Sequence, residues 1–250
     1  MTRPGLVPAG AAVVVPLVAL GVRVDVEVSP EFEAGVRRAW SRCLAADSTE
    51  PASVRLPVND ADEATALHTL SMTMNRTVTD ARGGTVLTLH GAALADASGN
   101  TVLLVAQSGT GKTTLARTLG PRWGYLSDES AGVGPDGVMV AYPKPLSIVT
   151  DDWRKDQLSP DELGLGLPAA VCVLRAIVLI DRDPDQAQPV MTEVDLMDAL
   201  PRLAKESFQL ARHDRPLHVL ATAIEQARGV RHIRYAEAAT LDPLLRELVS

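Results

Sequence analysis

The sequence predicts an α/β protein with a phosphate-binding loop at the end of one of its strands. An apolar run at 101–105 leads into Ala-Gln-Ser-Gly-Thr-Gly-Lys-Thr-Thr at 106–114, and a helical pattern follows. A strand, a glycine-rich loop and a helix in this order are typical of a P-loop. A second apolar run, at 171–181, is typical of a buried strand in the same kind of sheet. Strand and helix patterns on both sides of these runs indicate a mixed α/β class.

The loop matches the P-loop pattern G-x-x-x-x-G-K-[ST] except at its first position, where Ala106 stands for glycine. This residue closes the strand before the loop, so its methyl group is tolerated if φ there is negative. We expect backbone N–H groups around a β-phosphate, Lys112 at the β and γ oxygens, and the Thr113 hydroxyl on Mg²⁺. A helix that begins near Lys112 points the positive end of its dipole at the phosphate. The predicted nucleotide-binding residues are Gln107, Ser108, Gly109, Thr110, Gly111, Lys112, Thr113 and Thr114.

Composition and cysteine usage exclude several classes of protein. The 250 residues are 46% hydrophobic and 22% charged, which is enough for a sizeable core. The formal net charge of -7 and the lack of a Lys/Arg run argue against a nucleic-acid partner. Cys43 and Cys172 lie far apart without metal-ligand spacing, so neither a zinc site nor a disulfide framework is expected. A reducing cytoplasm is therefore the expected location.

The apolar run at 11–20 has the length of the core of an export signal. Pro16 interrupts it, and apolar and polar residues alternate at 22–28 immediately afterwards. Alternation of this kind predicts half-buried strands. We therefore expect neither an export signal nor a membrane partner.

A turn-rich joint at 80–84 divides the chain into an N-terminal module, 1–82, and a nucleotide-binding domain, 83–250. The module is predicted to be small and α+β, with Trp40 in its core. Its predicted elements are strands at 12–18, 22–28 and 54–57, a helix opened by Ser29 and Pro30, and a helix at 62–75. Because it carries no catalytic constellation, its expected task is recognition of an acceptor segment at a strand edge. The alternative is that its strands complete the sheet of the larger domain.

The nucleotide-binding domain is predicted to be rich in strands. Strands at 86–94 and 101–105 are expected to form a hairpin, and a short strand from 123 ends in Asp128 and Glu129. These two carboxylates can act together only if the chain turns there, because successive strand residues point to opposite faces. The other predicted elements are hairpins over 131–148, strands at 171–181 and 230–235, and helices at 193–206, 215–226 and 240–248.

Three segments together resemble the catalytic domain of HPr serine kinases and the related kinases of peptide-modification clusters. They are His90 with Gly91 on the strand before the loop, the loop at 107–113, and Leu-Ser-Asp-Glu at 126–129. The resemblance covers about 86–181, with weaker support to the end of the chain. It implies a compact P-loop kinase domain of the HPr kinase/PEP carboxykinase type that uses ATP and Mg²⁺.

The resemblance also implies a role for each matching residue. His90 is expected beside the transferred phosphate, although a histidine in an apolar strand is equally often a core residue. Lys112 and Thr113 are expected to hold nucleotide and Mg²⁺. Asp128 is expected to bind the metal, and Glu129 to act as general base. Phosphoryl transfer independently requires a metal-bound phosphate and an acid that orients the incoming hydroxyl.

The sequence also departs from the pattern of these kinases. Glu129 stands in place of a second aspartate, and Thr114 stands where HPr kinases have glutamate. The signature used for dephosphorylation is recognisable neither at 161–167 nor at 175–181. The departures indicate a kinase without the dephosphorylating activity, or a degenerate relative.

Two further charged residues have alternative interpretations. Lys144 is either a basic contact to phosphate or a solvated turn lysine. Asp181, at the end of an apolar run, is typical of the metal-binding acid in other P-loop classes. It ranks below Asp128, because the acid pair lies nearer to the loop in sequence.

The sequence favours ATP-dependent phosphorylation of a Ser or Thr hydroxyl on a protein or peptide. A non-catalytic ATP-binding protein that recognises a peptide or carrier remains an alternative, and a small-molecule kinase is a third. A homo-oligomer is also compatible with the sequence.

Overall fold

The computed structural model describes residues 12–45, 54–58, 62–107, 109–149 and 155–250. The helices in these ranges are α1 (Glu33–Ala39), α2 (Glu63–Arg82), α3 (Lys112–Leu119), α4 (Leu196–Lys205), α5 (Pro216–Gln226) and α6 (Asp242–Val249). The strands are β1 (Val13–Ala19), β2 (Val22–Val28), β3 (Val54–Val58), β4 (Leu87–Ala95), β5 (Asn100–Val105), β6 (Gly124–Ser127), β7 (Ser130–Val133), β8 (Met139–Val140), β9 (Leu146–Val149), β10 (Lys155–Leu158), β11 (Val173–Arg182), β12 (Val190–Val194), β13 (Ser207–Phe208) and β14 (Val230–Tyr235).

A mixed nine-stranded sheet forms the centre of the described structure. Its main order is β12-β14-β11-β5-β4-β7-β8, and β6 and β13 also pair with β4. β11 is parallel to both β5 and β14, whereas β4 is antiparallel to β5, as the predicted hairpin requires. The α/β class is therefore confirmed.

The two faces of the large sheet are covered by different helices. Val102 and Leu104 of β5 pack with α3 and α6, whereas Leu103 and Val105 pack with α4 and α5. Successive strand side chains point to opposite faces, so a continuous apolar run indicates burial on both. This arrangement places the end of β5, and the loop that follows it, between two helical layers.

The N-terminal strands form a separate sheet of order β1-β2-β3, which packs with α1 and α2. The alternative that these strands complete the sheet of the larger domain is therefore wrong. Apolar and polar residues alternate along β2, so one face of this strand is buried. Trp40 is fully buried in the same core, as predicted. Tyr142, from the other part of the chain, belongs to the same core. The division into 1–82 and 83–250 stays a prediction.

Two helix boundaries differ from the sequence-based expectation. The helix predicted at 62–75 continues to Arg82, because Val78 and Thr79 extend its buried face and the turn residues act only from Gly83. The helix predicted at 193–206 begins at Leu196, since the side chain of Asp195 caps it and the preceding residues pair with β14.

In the described ranges, each helix is too short or too polar to cross a lipid bilayer.

Candidate functional site

The predicted P-loop, residues 106–113, connects β5 to α3. Gly109 and Gly111 have φ of 85° and 96°, a left-handed region that favours glycine. A Cβ atom built at either glycine meets no heavy atom within 4 Å, so the space in front of the loop is open. Ala106 does not have a positive φ, so its methyl group introduces no strain. Ser108 lies outside the described residues. Two glycines with left-handed backbone immediately before a helix N-terminus suit an anionic phosphate group.

Lys112 lies beneath this loop. Its ammonium group donates hydrogen bonds to the carbonyl oxygens of Ala106, at 2.7 Å, and Gln107, at 2.8 Å. Burial lowers the pKa of Lys112 to about 8, and the negative charges of Glu206 and the acid pair oppose this effect. The ammonium is thus held at the base of the loop that the sequence assigns to phosphate.

Asp128 and Glu129 form the turn between β6 and β7. The condition that the chain turns at the two acids is met. Asp128 is only 3% exposed. One of its carboxylate oxygens accepts a hydrogen bond from the Thr113 hydroxyl at 2.8 Å, and the other accepts one from the Tyr125 hydroxyl at 3.0 Å. The structure therefore joins the first residues of α3 to the acid pair.

Lys144 is fully buried behind the acid pair, so its interpretation as a solvated turn lysine is wrong. Its Nζ lies 3.3 Å from Asp128 Oδ1 and 3.1 Å from Glu129 Oε2. Burial by itself would lower the pKa of Lys144, but the two carboxylates raise it above its ordinary value. Lys144 is therefore a charged group between two acids.

His90 lies on β4, next to Gly91, which pairs with Val105 of β5. A Cβ atom at Gly91 would lie 2.8 Å from the Leu104 carbonyl oxygen, which explains the glycine after the histidine. His90 Nδ1 lies 3.3 Å from Glu206 Oε2, and the ring stands edge-on to Phe208. Burial and the charge of Lys112 lower the pKa of His90, and the negative charges of Glu206 and Glu129 oppose this effect.

Sequence reasoning missed several contacts of the predicted site residues, among them two from distant polar residues, Glu206 and Asn75. Glu206 follows α4 and hydrogen-bonds His90, but no motif surrounds it. Asn75 of α2 donates to Glu129 Oε1 at 3.5 Å and accepts from the Ser130 hydroxyl at 2.5 Å. Its only sequence signal is a polar residue beside the buried face of α2.

Two cavities meet at the predicted P-loop. We call the first the acid cavity: it has 550 Å³ and is bordered by Asp128 and Glu129. The second, the tyrosine cavity, has 660 Å³ and is bordered by Tyr235. Most of the predicted site residues line these cavities. The walls of the acid cavity include His90, Lys112, Thr113, Asp128 and Glu129, and those of the tyrosine cavity include Gln107 and Thr110. Gly109, Gly111 and Thr114 line both cavities.

Asp181 lies away from the acid pair. It borders the tyrosine cavity, and its Oδ2 lies 2.8 Å from His232 Nε2 and 3.9 Å from an Arg202 nitrogen. Its side chain is 59% exposed, in contrast to the buried Asp128. The contact of Asp128 with Thr113 therefore favours Asp128 as the acid next to the loop.

Comparisons with known proteins give only a distant likeness. No protein-family model matches the chain, and no curated protein matches it. Among solved structures, the chain is similar to the HPr(Ser) kinase/phosphatase from Coxiella burnetii, with 14% sequence identity and a TM-score of 0.37. The likeness covers 65% of this chain and 93% of that chain. It is too weak to establish membership of that family.

Proposed function

We propose that the protein is an ATP- and Mg²⁺-dependent kinase that transfers the γ-phosphate to a Ser or Thr hydroxyl of a protein or peptide. The observation that carries this proposal is the hydrogen bond of 2.8 Å between Thr113 and Asp128. It brings the end of a P-loop pattern and one of two adjacent acids to the same cavity. Phosphoryl transfer requires this combination of a phosphate cradle, a metal ligand and a proton acceptor.

The two cavities support one orientation of the nucleotide. The phosphates would lie over the glycines that both cavities share, with the γ-phosphate toward the acids and the nucleoside in the tyrosine cavity. Mg²⁺ prefers oxygen ligands and commonly binds one or two protein groups together with substrate phosphates. The Thr113 hydroxyl and the Asp128 carboxylate are suitable groups. A bound Mg²⁺ would neutralise phosphate charge and hold the phosphates in line.

The different exposure of the two acids supports different roles for them. Asp128 is buried and hydrogen-bonded to Thr113, which suits a metal ligand. The side chain of Glu129 is 39% exposed and borders the acid cavity, where an acceptor hydroxyl can approach it. Glu129 would therefore accept the hydroxyl proton as general base. His90, which borders the same cavity, would lie near the transferred group.

One observation favours a non-catalytic ATP-binding protein as a second candidate. Glu129 Oε2 is already 3.1 Å from the Lys144 ammonium. This ion pair forms without a bound substrate, which also suits a purely structural role for Glu129. In this candidate function, ATP orders a surface that recognises a peptide or carrier protein.

Binding and transfer measured on the same variants distinguish these functions. Calorimetry would measure Mg·ATP binding, and labelled ATP would measure transfer to Ser/Thr peptides, small alcohols and water. Asp128→Asn and Glu129→Gln are expected to keep ATP affinity within a small factor and to lose at least ~10²-fold in transfer. Glu247→Gln, on the exposed side of α6, is the matched control.

Each outcome has a separate meaning. ATP binding without transfer to any acceptor would favour the non-catalytic candidate. Transfer to small alcohols but not to peptides would favour a small-molecule kinase. Absence of Mg·ATP binding would refute the nucleotide site as well as the kinase.

A further inference from the structure

Lys144 places a positive charge next to the acid pair, at the wall of the acid cavity. Only 1% of the residue is exposed. A buried ammonium is costly unless acceptors and opposite charges surround it. Lys144 Nζ has three such neighbours: Asp128 Oδ1 at 3.3 Å, Glu129 Oε2 at 3.1 Å and the Pro145 carbonyl oxygen at 3.0 Å.

The Lys144 ammonium donates a hydrogen bond to the Pro145 carbonyl oxygen and forms ion pairs with both carboxylates. A lysine ammonium has three donors, and three acceptors surround this one. Contact with a phosphate would require Lys144 to give up a carboxylate or the carbonyl. Because Lys144 also borders the acid cavity, its contact to phosphate stays a prediction, and the contacts that the structure shows are those with the two acids and the Pro145 carbonyl.

The backbone around Lys144 restricts where its side chain can lie. Pro143 and Pro145 flank it and each has a restricted φ. Its carbonyl oxygen accepts a hydrogen bond from the Tyr125 hydroxyl at 3.2 Å, and its amide donates to the Tyr142 carbonyl at 2.8 Å. The Tyr125 hydroxyl also contacts the acid pair. Segment 141–145 is thus attached to the strand that precedes the two acids.

We propose that Lys144 is a positioning residue that orients Glu129 for proton transfer. The ammonium lies 3.1 Å from Oε2, Asn75 donates to Oε1, and the residue held between them borders the acid cavity. Glutamate is one methylene longer than aspartate and has more rotamers, so it needs an anchor to be placed accurately. Lys144 supplies that anchor and compensates the charge of two adjacent carboxylates. This inference rests on the proposed kinase function.

A double-mutant cycle tests the inference. Lys144→Met is expected to lower kcat ~10²-fold, the order expected when a catalytic group is misplaced by about 1 Å, while KM for ATP changes less than about threefold. In a Glu129→Gln background, the same substitution is expected to lower kcat less than about threefold further, because its effect acts through Glu129. Lys205→Met, an exposed lysine at the end of α4, is the control and should match the parent protein.

Thermal unfolding must accompany each measurement. Should Lys144→Met fail to fold, Lys144→Gln keeps two N–H donors, removes the charge, and carries the same expectation. Equal losses of kcat in the presence and absence of Glu129→Gln would overturn the inference, as would a rise in KM for ATP with kcat unchanged. If the parent protein transfers phosphate and the Lys144 variants keep full kcat, only this inference fails. If the parent protein transfers none, the proposed function fails and the inference with it.

Discussion

The protonation of Lys112 offers a direct test of the nucleotide site. Burial holds its pKa at about 8, below the ordinary value of a lysine. The ammonium form therefore predominates below that pH and is lost as the pH rises through it. Only the ammonium form attracts a phosphate group by charge. We expect Mg·ATP affinity to be highest below pH 8 and to fall above it.

The expected magnitude follows from the pKa. With a pKa of about 8, the protonated fraction falls from about 0.9 near pH 7 to about 0.1 near pH 9. Affinity should therefore fall about tenfold over this interval, which corresponds to ~1.4 kcal/mol. Because bound phosphate favours the ammonium, binding near pH 9 should also take up nearly one proton.

Isothermal titration calorimetry in two buffers of different ionisation enthalpy measures both quantities. Lys112→Arg is the matched control, because a guanidinium stays charged throughout this range. Any pH dependence that comes from the nucleotide persists in this variant. An affinity that is equal near pH 7 and pH 9, or a slope that is the same in Lys112→Arg, would refute the reasoning. Lys112→Met should bind weakly at both pH values.

Two other predictions concern the N-terminal core and the two buried cysteines. Tyr142 is fully buried in the core that contains β1 and β2. A chain that begins at Gly83 is therefore expected to unfold at a lower temperature and to lose phosphate transfer more than ATP binding. Unchanged stability and transfer would show that the two parts of the chain are independent. Burial raises the pKa of the Cys43 thiol to about 12 and also raises that of Cys172. Because the thiolate is the reactive form, neither cysteine should react with a thiol reagent near pH 8 until the protein unfolds. Prompt reaction of Cys43 in the native protein would contradict its placement in the core.

Local features of the candidate site could be predicted from the sequence. β5, the loop and α3 are continuous in the chain, so an apolar run, glycines and a helical pattern indicate them directly. The two acids are adjacent, and the turn that brings them to one cavity spans only the residues between β6 and β7. The alternation in β2 likewise predicted a half-buried strand, although it did not indicate which sheet the strand joins.

Contacts between distant segments required the tertiary structure. Asn75 is 54 positions from Glu129, and Glu206 is 116 positions from His90. No local pattern connects such residues, because their distance depends on how α2 and α4 pack against the sheet. Lys144 is the clearest case: a lysine between two prolines resembles an exposed turn. It is buried only because segment 141–145 lies between the acid pair and the N-terminal core, where two carboxylates offset the cost of removing its charge from water.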